Sequence, residues 1–164
     1  MIYIALYLVA IVAANQSVTV FGASAAIINA FLLISLDLTS RDALHDQWRG
    51  RWLWPKMLAL IAGGSVLSYA LNAAAGRIAL ASFVAFLSAG LIDALTYAML
   101  GERSRLVRMN GSNLFSAAVD SVVFPLIAFP VFSWWIVLGL FGAKVLGGVA
   151  WSLVLSRPRL ERAL

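Results

Sequence analysis

Six apolar stretches, separated by short polar connections, dominate the pattern of hydrophobic and polar positions along the chain. Crossing a bilayer takes ~20 apolar residues in a helix, so stretches of this length are typical of membrane helices. The pattern predicts helices over residues 2–14 (extending as far as 21), 24–40, 53–73, 78–100, 112–129 and 133–155. A polar break at Asn15-Gln16-Ser17 interrupts the first, Pro130 ends the fifth, and Arg157-Pro158-Arg159 stops the sixth. The chain is therefore expected to be an all-α membrane protein, a bundle of six transmembrane helices.

Composition supports this fold class. The chain is 63% hydrophobic and 12% charged, with a mean hydropathy of +0.95, whereas soluble domains are roughly a quarter charged. Six helices use nearly all of the 164 residues, so we expect residues 1–164 to form a single integral membrane domain.

The basic residues predict the orientation of the chain in the membrane and the kind of molecule that they contact. Most of the 12 lysines and arginines lie in the second-to-third connection, the fourth-to-fifth connection and the C-terminal tail. Cytoplasmic loops carry such an excess, so both termini are expected in the cytoplasm. The net charge of +5 does not indicate nucleic acid, because these residues flank apolar runs, where they contact anionic lipid.

The residues needed for most catalytic sites are missing. With no cysteine and one histidine, His45 in a polar connection, the sequence offers no thiolate metal site and no Ser-His-Asp set. A Gly-rich phosphate loop beside a strand is also absent from the sequence. We therefore expect no enzyme activity, no metal and no cofactor.

Four charged residues lie inside the apolar stretches, at Asp37, Asp93, Asp120 and Lys144. A charge at the centre of a bilayer costs at least ~2.5–3.5 kcal/mol, so it persists where it is paired, hydrated or bound to a ligand. Such residues usually mark a transport path or a ligand site, which favours a transporter. Two other interpretations stay open: aspartates that carry protons, and a Lys144–Asp ion pair that only holds the bundle together.

Helical spacing places these charges beside aromatic or small residues. Asp120 shares a face with Phe124, and Lys144 shares one with Trp151, while Asp93 follows the alanines of its helix at intervals of four. The break in the first helix adds two amides, Asn15 and Gln16. Carboxylates can accept paired hydrogen bonds from the N–H edge of a guanine-type base, amides can bond a carbonyl or a nitrile, and aromatic rings can stack on a flat bicycle.

At these residues the chain resembles the queuosine-precursor transporters, also called the vitamin uptake transporter family. The first block that carries the resemblance is the polar break with Asn15. The others, in family order, are FLLISLDLTSR, RIALASFVAFLSAGLIDALTY, RLVRMNGSNLFSAAVDSVVFPLIAF and the segment Ala143-Lys144-Val145-Leu146. One departure is Arg41, where many members have an acidic residue four positions after Asp37.

The resemblance implies a multi-pass inner-membrane importer of 7-deazaguanine precursors such as preQ0 or preQ1, which feed queuosine biosynthesis and tRNA modification. It implies a homodimer or a higher oligomer. Arg77 and Arg108 would be the helix-flanking arginines of the family. The expected substrate-binding residues are Asn15, Gln16, Asp37, Asp93, Asp120, Lys144, Phe115, Phe124 and Trp151.

Each of these residues has an expected role. Asp93 and Asp120 would bind the base, and Lys144 would pair with one of them. Asn15 and Gln16 would contact the polar substituent of the substrate. Any of three aromatic residues could stack on the ring: Phe115, Phe124 or Trp151.

A second function stays open from the sequence. Substrate-binding subunits of energy-coupling-factor vitamin importers are also small six-helix proteins, and they dock a partner through small residues at intervals of four. Ala10 and Ala14 have this spacing in the first helix. Such a subunit would bind its ligand alone but would need an ATPase module for transport.

Overall fold

Every regular element is helical in the part of the chain that the computed structural model describes, residues 2–48, 52–103 and 105–160. Within the helices, the side chains of residues 38, 39, 42, 43, 45, 46, 97, 105, 106, 108–110 and 152–160 are not described. The elements in order are α1 (Ile2–Phe21), α2 (Ala23–Asn29), a π-helical turn (Ala30–Ile34), α3 (Ser35–Gln47), α4 (Leu53–Leu71), a 3-10 turn (Ala73–Ala75), α5 (Gly76–Met99), α6 (Arg105–Ala128) and α7 (Trp134–Leu160). The expected all-α class is confirmed.

These elements form six helical segments, because α2, the π-helical turn and α3 are one continuous rod. The backbone angles of Asn29, Ala30 and Ser35 at the two junctions are all right-handed helical. Among the described residues, four segments are long and apolar enough to cross a membrane: Ile2–Phe21, Ala73–Thr96, Gly111–Ala128 and Trp134–Trp151. Ala23–Asp37 is apolar but shorter. Six spans and cytoplasmic termini stay predictions.

The first predicted helix has no break. α1 is continuous through Asn15-Gln16-Ser17 because its polar side chains find partners without disturbing the backbone. The side chains of Asn15 and Gln16 bond to α4, and the hydroxyl of Thr19 donates to the carbonyl oxygen of Asn15 at 2.7 Å. The amides of Asn15 and Gln16 thus do not compete for the backbone hydrogen bonds of α1, and a helix tolerates the single bond from the Thr19 hydroxyl to the turn before it.

Three other helices are longer than the apolar pattern predicts. α3 continues to Gln47 because Leu44, in the expected polar connection, is buried in the core. α6 begins at Arg105 rather than at 112. α7 passes the expected stop at Pro158 and reaches Leu160.

Two apolar clusters fill the bundle, one towards each end. We call the end with Gly22, the Ala73–Ala75 turn and Pro130 the upper end, and the opposite end the lower end. Gly22 has a φ of 67°, a conformation that favours glycine, and it reverses the chain between α1 and α2. The upper core consists of Val18, Ala26, Ala30, Ile78, Ala81, Ala128 and Leu140. The lower core consists of Tyr7, Ile11, Leu44, Leu60, Ile61 and Phe86.

Exposed tryptophans mark both ends of the bundle. Trp52 and Trp54 lie at the lower end, and Trp134 and Trp135 lie at the upper end, all with most of their surface exposed. Indole rings prefer the two membrane–water interfaces. The separation of these rings along the bundle is therefore consistent with helices that cross a bilayer.

The π-helical turn is the surface on which α7 packs. The hydroxyl of Ser35 donates to the carbonyl oxygens of Ala30 (2.8 Å) and Lys144 (3.3 Å). The indole N–H of Trp151 donates to the carbonyl oxygen of Leu32 at 2.8 Å. A π-helical turn leaves carbonyl groups outside the regular ladder, and these side chains use them. The contacts fix the height of α7 and therefore the position of Lys144.

Candidate functional site

A pocket lies between the upper and lower cores, at the junction of α1, α2, the π-helical turn, α5, α6 and α7. Its empty volume, with the open space at its mouth, is about 370 Å³. The polar residues that line it are Asn15, Asn29, Ser82, Asp120 and Lys144, and the aromatic ones are Phe86 and Phe124.

The polar side chains of the pocket lie at similar depth, although they come from five helices. At a rise of 1.5 Å per residue, their positions are roughly 10–15 Å below the upper helix ends. A bilayer has a hydrocarbon core ~30 Å thick, so in a spanning bundle these groups lie well inside it. At this depth each polar group needs a partner in the protein or in a ligand.

An ion pair between α6 and α7 dominates the electrostatics of the pocket. The ammonium group of Lys144 donates to Oδ2 of Asp120 at 2.5 Å and to the hydroxyl of Ser121 at 3.2 Å. Both charged residues are 5% exposed. Of the two aspartates expected to pair with Lys144, the packing thus selects Asp120. Oδ1 of Asp120 accepts no hydrogen bond from any described residue, so it is available to a ligand.

Asn15 joins three helices at the wall of the pocket. Its amide nitrogen donates to the hydroxyl of Ser68 on α4 at 2.9 Å, and its oxygen accepts from the hydroxyl of Ser82 on α5 at 2.6 Å. The side chain is 2% exposed. The neighbouring Gln16 points to α4, where its amide donates to the carbonyl oxygen of Ser68 at 2.7 Å, and it does not line the pocket.

Asn29 is a pocket residue that was not among the expected ligands. It is the last residue of α2, and its amide nitrogen donates to the carbonyl oxygen of Ala14 at 3.3 Å. Its own Oδ1 accepts no hydrogen bond within the described part of the chain. Ser82 and Phe86 also line the pocket without having been predicted as ligands. An asparagine inside an apolar stretch was the available signal for Asn29, and Ser82 belongs to the Ala-Ser pair in one of the blocks that carry the family resemblance, whereas Phe86 differs in no visible way from other residues of its helix.

Two of the expected acidic ligands lie below the pocket. Asp37 is fully buried in the lower half of the rod, one helical turn from the buried Arg41. Both residues have interactions within the protein. Asp93 lies near the lower end of α5, half-buried, with Oδ1 enclosed and without a hydrogen bond among the described residues. Neither aspartate lines the pocket.

Of the three expected stacking residues, Phe124 is the one in the pocket. Phe115 is 58% exposed on the outside of the bundle. Trp151 lies against the π-helical turn, as described above. Arg77 donates through Nε to the carbonyl oxygen of Ile127 at 2.8 Å, and so satisfies a free carbonyl in the last turn of α6. The side chain of Arg108 lies outside the described residues.

Comparison with known proteins identifies the family. The family model described as "Putative vitamin uptake transporter" matches residues 1–156, nearly the whole chain. No curated protein and no solved structure matched the chain. The match agrees with the long apolar helices and with the polar residues buried between them, as expected of a multi-pass membrane protein. The chain therefore belongs to the vitamin uptake transporter family.

Proposed function

We propose that this protein is a secondary transporter that imports a 7-deazaguanine precursor of queuosine, of the preQ0 or preQ1 type, for tRNA modification. The observation that carries the proposal is the pocket, in which Asp120 and two amides face aromatic surface deep inside an apolar bundle. Membership of an uptake transporter family supplies the transport role.

The chemistry of the pocket suits a flat base with a row of N–H groups. A guanine-type edge offers a ring N–H beside an exocyclic amine, and the free Oδ1 of Asp120 can accept from it. Hydrogen bonds to a charged acceptor are about twice as strong as those between neutral groups. Phe86 and Phe124 line the same pocket and provide apolar surface for the bicyclic ring.

The proposal includes an arrangement in the membrane. The six helical segments would span the inner membrane, with the lower end and both termini in the cytoplasm, as the basic residues predict. The pocket would then lie in the outer half of the bilayer. The protein would act as a homodimer or a higher oligomer.

A buried pair of alanines favours a self-sufficient transporter over a subunit of an energy-coupling-factor importer. Such a subunit needs its small residues on an open surface, where the partner docks. Ala10 and Ala14 are 1% and 3% exposed and pack inside the bundle. Transport by purified protein in liposomes, without an ATPase, would support the proposed role, and strict dependence on an ATPase module would support the rival.

Thermal unfolding in detergent is the first experiment. The protein would be heated with preQ0, preQ1, queuine, guanine or riboflavin. A ligand at a hundred times its Kd stabilises the folded state by ~2.7 kcal/mol, which is readily measured. Stabilisation by a deazapurine and not by riboflavin is expected. A well-folded sample with no response to any base would contradict the proposal.

A further inference from the structure

We infer that the pocket selects a neutral base over a cationic one. The inference rests on the proposed function and concerns the substituent that distinguishes the two kinds of precursor, a nitrile from an aminomethyl group. Its basis is the balance of charge among the residues that line the pocket. Two observations support it: the pairing of Asp120 with Lys144, and the uncharged carboxamide of Asn29.

The first observation is that the pocket has no net charge. Asp120 and Lys144 are the charged residues among the described residues that line it, and they neutralise each other at 2.5 Å. Both are buried, so water screens neither charge. Asp37 and Asp93 are too far below the pocket to line it. A positive ligand would therefore enter without a counter-ion of its own.

The second observation concerns Asn29, whose side-chain oxygen is another free hydrogen-bond acceptor in the pocket. Oδ1 of Asn29 is free of hydrogen bonds from described residues, but it belongs to a neutral amide and cannot balance an ammonium group. A buried charge without a partner is far less favourable than a buried dipole with one. A nitrile carries no charge, and its nitrogen can accept a hydrogen bond from the third N–H of Lys144.

The test compares two ligands that share one ring, 7-cyano-7-deazaguanine and 7-aminomethyl-7-deazaguanine. The amine is protonated at pH 7, as a lysine is. Calorimetric titration of the purified protein is expected to give a Kd for the cyano compound that is at least about tenfold lower than the Kd for the aminomethyl compound. A tenfold ratio is small compared with the cost of burying an unpaired charge.

The variant Asn29→Asp tests the cause. It replaces the amide that donates to Ala14 by a carboxylate, so the pocket loses that hydrogen bond and gains a negative charge, and the ratio of the two Kd values should shift towards the aminomethyl compound by about tenfold or more. Asp93→Asn is the matched control, because it changes the charge of a carboxylate outside the pocket and should leave the ratio near that of the unmodified protein. Lys144→Gln, which leaves the charge of Asp120 unbalanced, should shift the ratio in the same direction as Asn29→Asp.

The outcomes separate this inference from the proposed function. If neither compound binds folded protein, the proposed function is wrong. If both bind and the aminomethyl compound binds equally well or more tightly, the inference is wrong while the proposed function stands. An unchanged ratio in folded Asn29→Asp and Lys144→Gln also overturns it, since the charge of the pocket would then not decide the choice.

Discussion

Gly147 of α7 lies directly against the carbonyl oxygen of Phe31 in the π-helical turn, with no space for a side chain between them. A Cβ at this position would overlap that oxygen and the hydroxyl of Ser35. The hydroxyl of Ser35 also donates to the carbonyl oxygen of Lys144. The contact that brings Gly147 close to the π-helical turn therefore also holds the backbone of Lys144. The glycine thus sets the distance between α7 and the helix that carries Asn29.

Gly147→Ala should destabilise the protein, because the overlapping atom belongs to the backbone and cannot move aside. Overpacking of this kind costs ~1–3 kcal/mol. Gly148→Ala is the matched control: nothing lies within 4 Å of its added carbon, and replacing a helical glycine by alanine gains up to ~1 kcal/mol. The measurement is the free energy of unfolding of each of the two variants in mixed micelles. Equal effects of the two substitutions would contradict the close packing.

Breaking the ion pair of the pocket should cost more when one partner is left than when both are replaced. Lys144→Met leaves the buried carboxylate of Asp120 alone, and loss of one partner of a buried pair costs ~3–5 kcal/mol. Asp120→Asn combined with Lys144→Met removes both charges and should recover much of that loss. The measurement is a double-mutant cycle on the free energy of unfolding. Additive effects would mean that the two side chains do not interact.

The hydroxyl of Ser68 should contribute to stability, whereas the hydroxyl of Ser65 on the same helix should not. Ser68 accepts from Asn15 and donates to the carbonyl oxygen of Gly64, so Ser68→Ala should cost ~0.5–2 kcal/mol. The hydroxyl of Ser65 is buried without a hydrogen bond among the described residues, and Ser65→Ala should be neutral or stabilising. The free energies of unfolding of the two variants are the measurement. A larger loss in Ser65→Ala than in Ser68→Ala would show that the hydrogen bond between Ser68 and Asn15 contributes nothing to stability.

Ligand binding should depend on Asp120 and not on Asp93. Asp120→Asn removes the charged acceptor of the pocket, and loss of a charged hydrogen bond of ~1.5–3 kcal/mol weakens binding by about tenfold or more. Asp93→Asn changes a carboxylate outside the pocket and should leave the Kd of 7-cyano-7-deazaguanine unchanged. Titration of both folded variants is the measurement. A large loss in Asp93→Asn would restore the expectation that both aspartates bind the base.

Fold class and family are both evident from the amino-acid sequence alone. In lipid every backbone polar group must be satisfied within its own helix, so long apolar stretches leave few alternatives to a helical bundle. The charged residues inside the apolar stretches could also be recognised as candidate site residues from the sequence, because a charge in hydrocarbon needs a partner. The pairing of Lys144 with an aspartate followed from this argument, although the identity of the aspartate did not.

Which polar residues come into contact depends on how the helices pack. Sequence spacing fixes the face of a residue on its own helix, but the height and rotation of that helix depend on packing with its neighbours. The contact of Gly147 with the π-helical turn and the close fit of α6 to α7 bring Lys144 to Asp120. The same packing leaves Asp93 below the pocket and turns Asn29 into it, because the height of each helix is set by contacts between residues far apart in the chain.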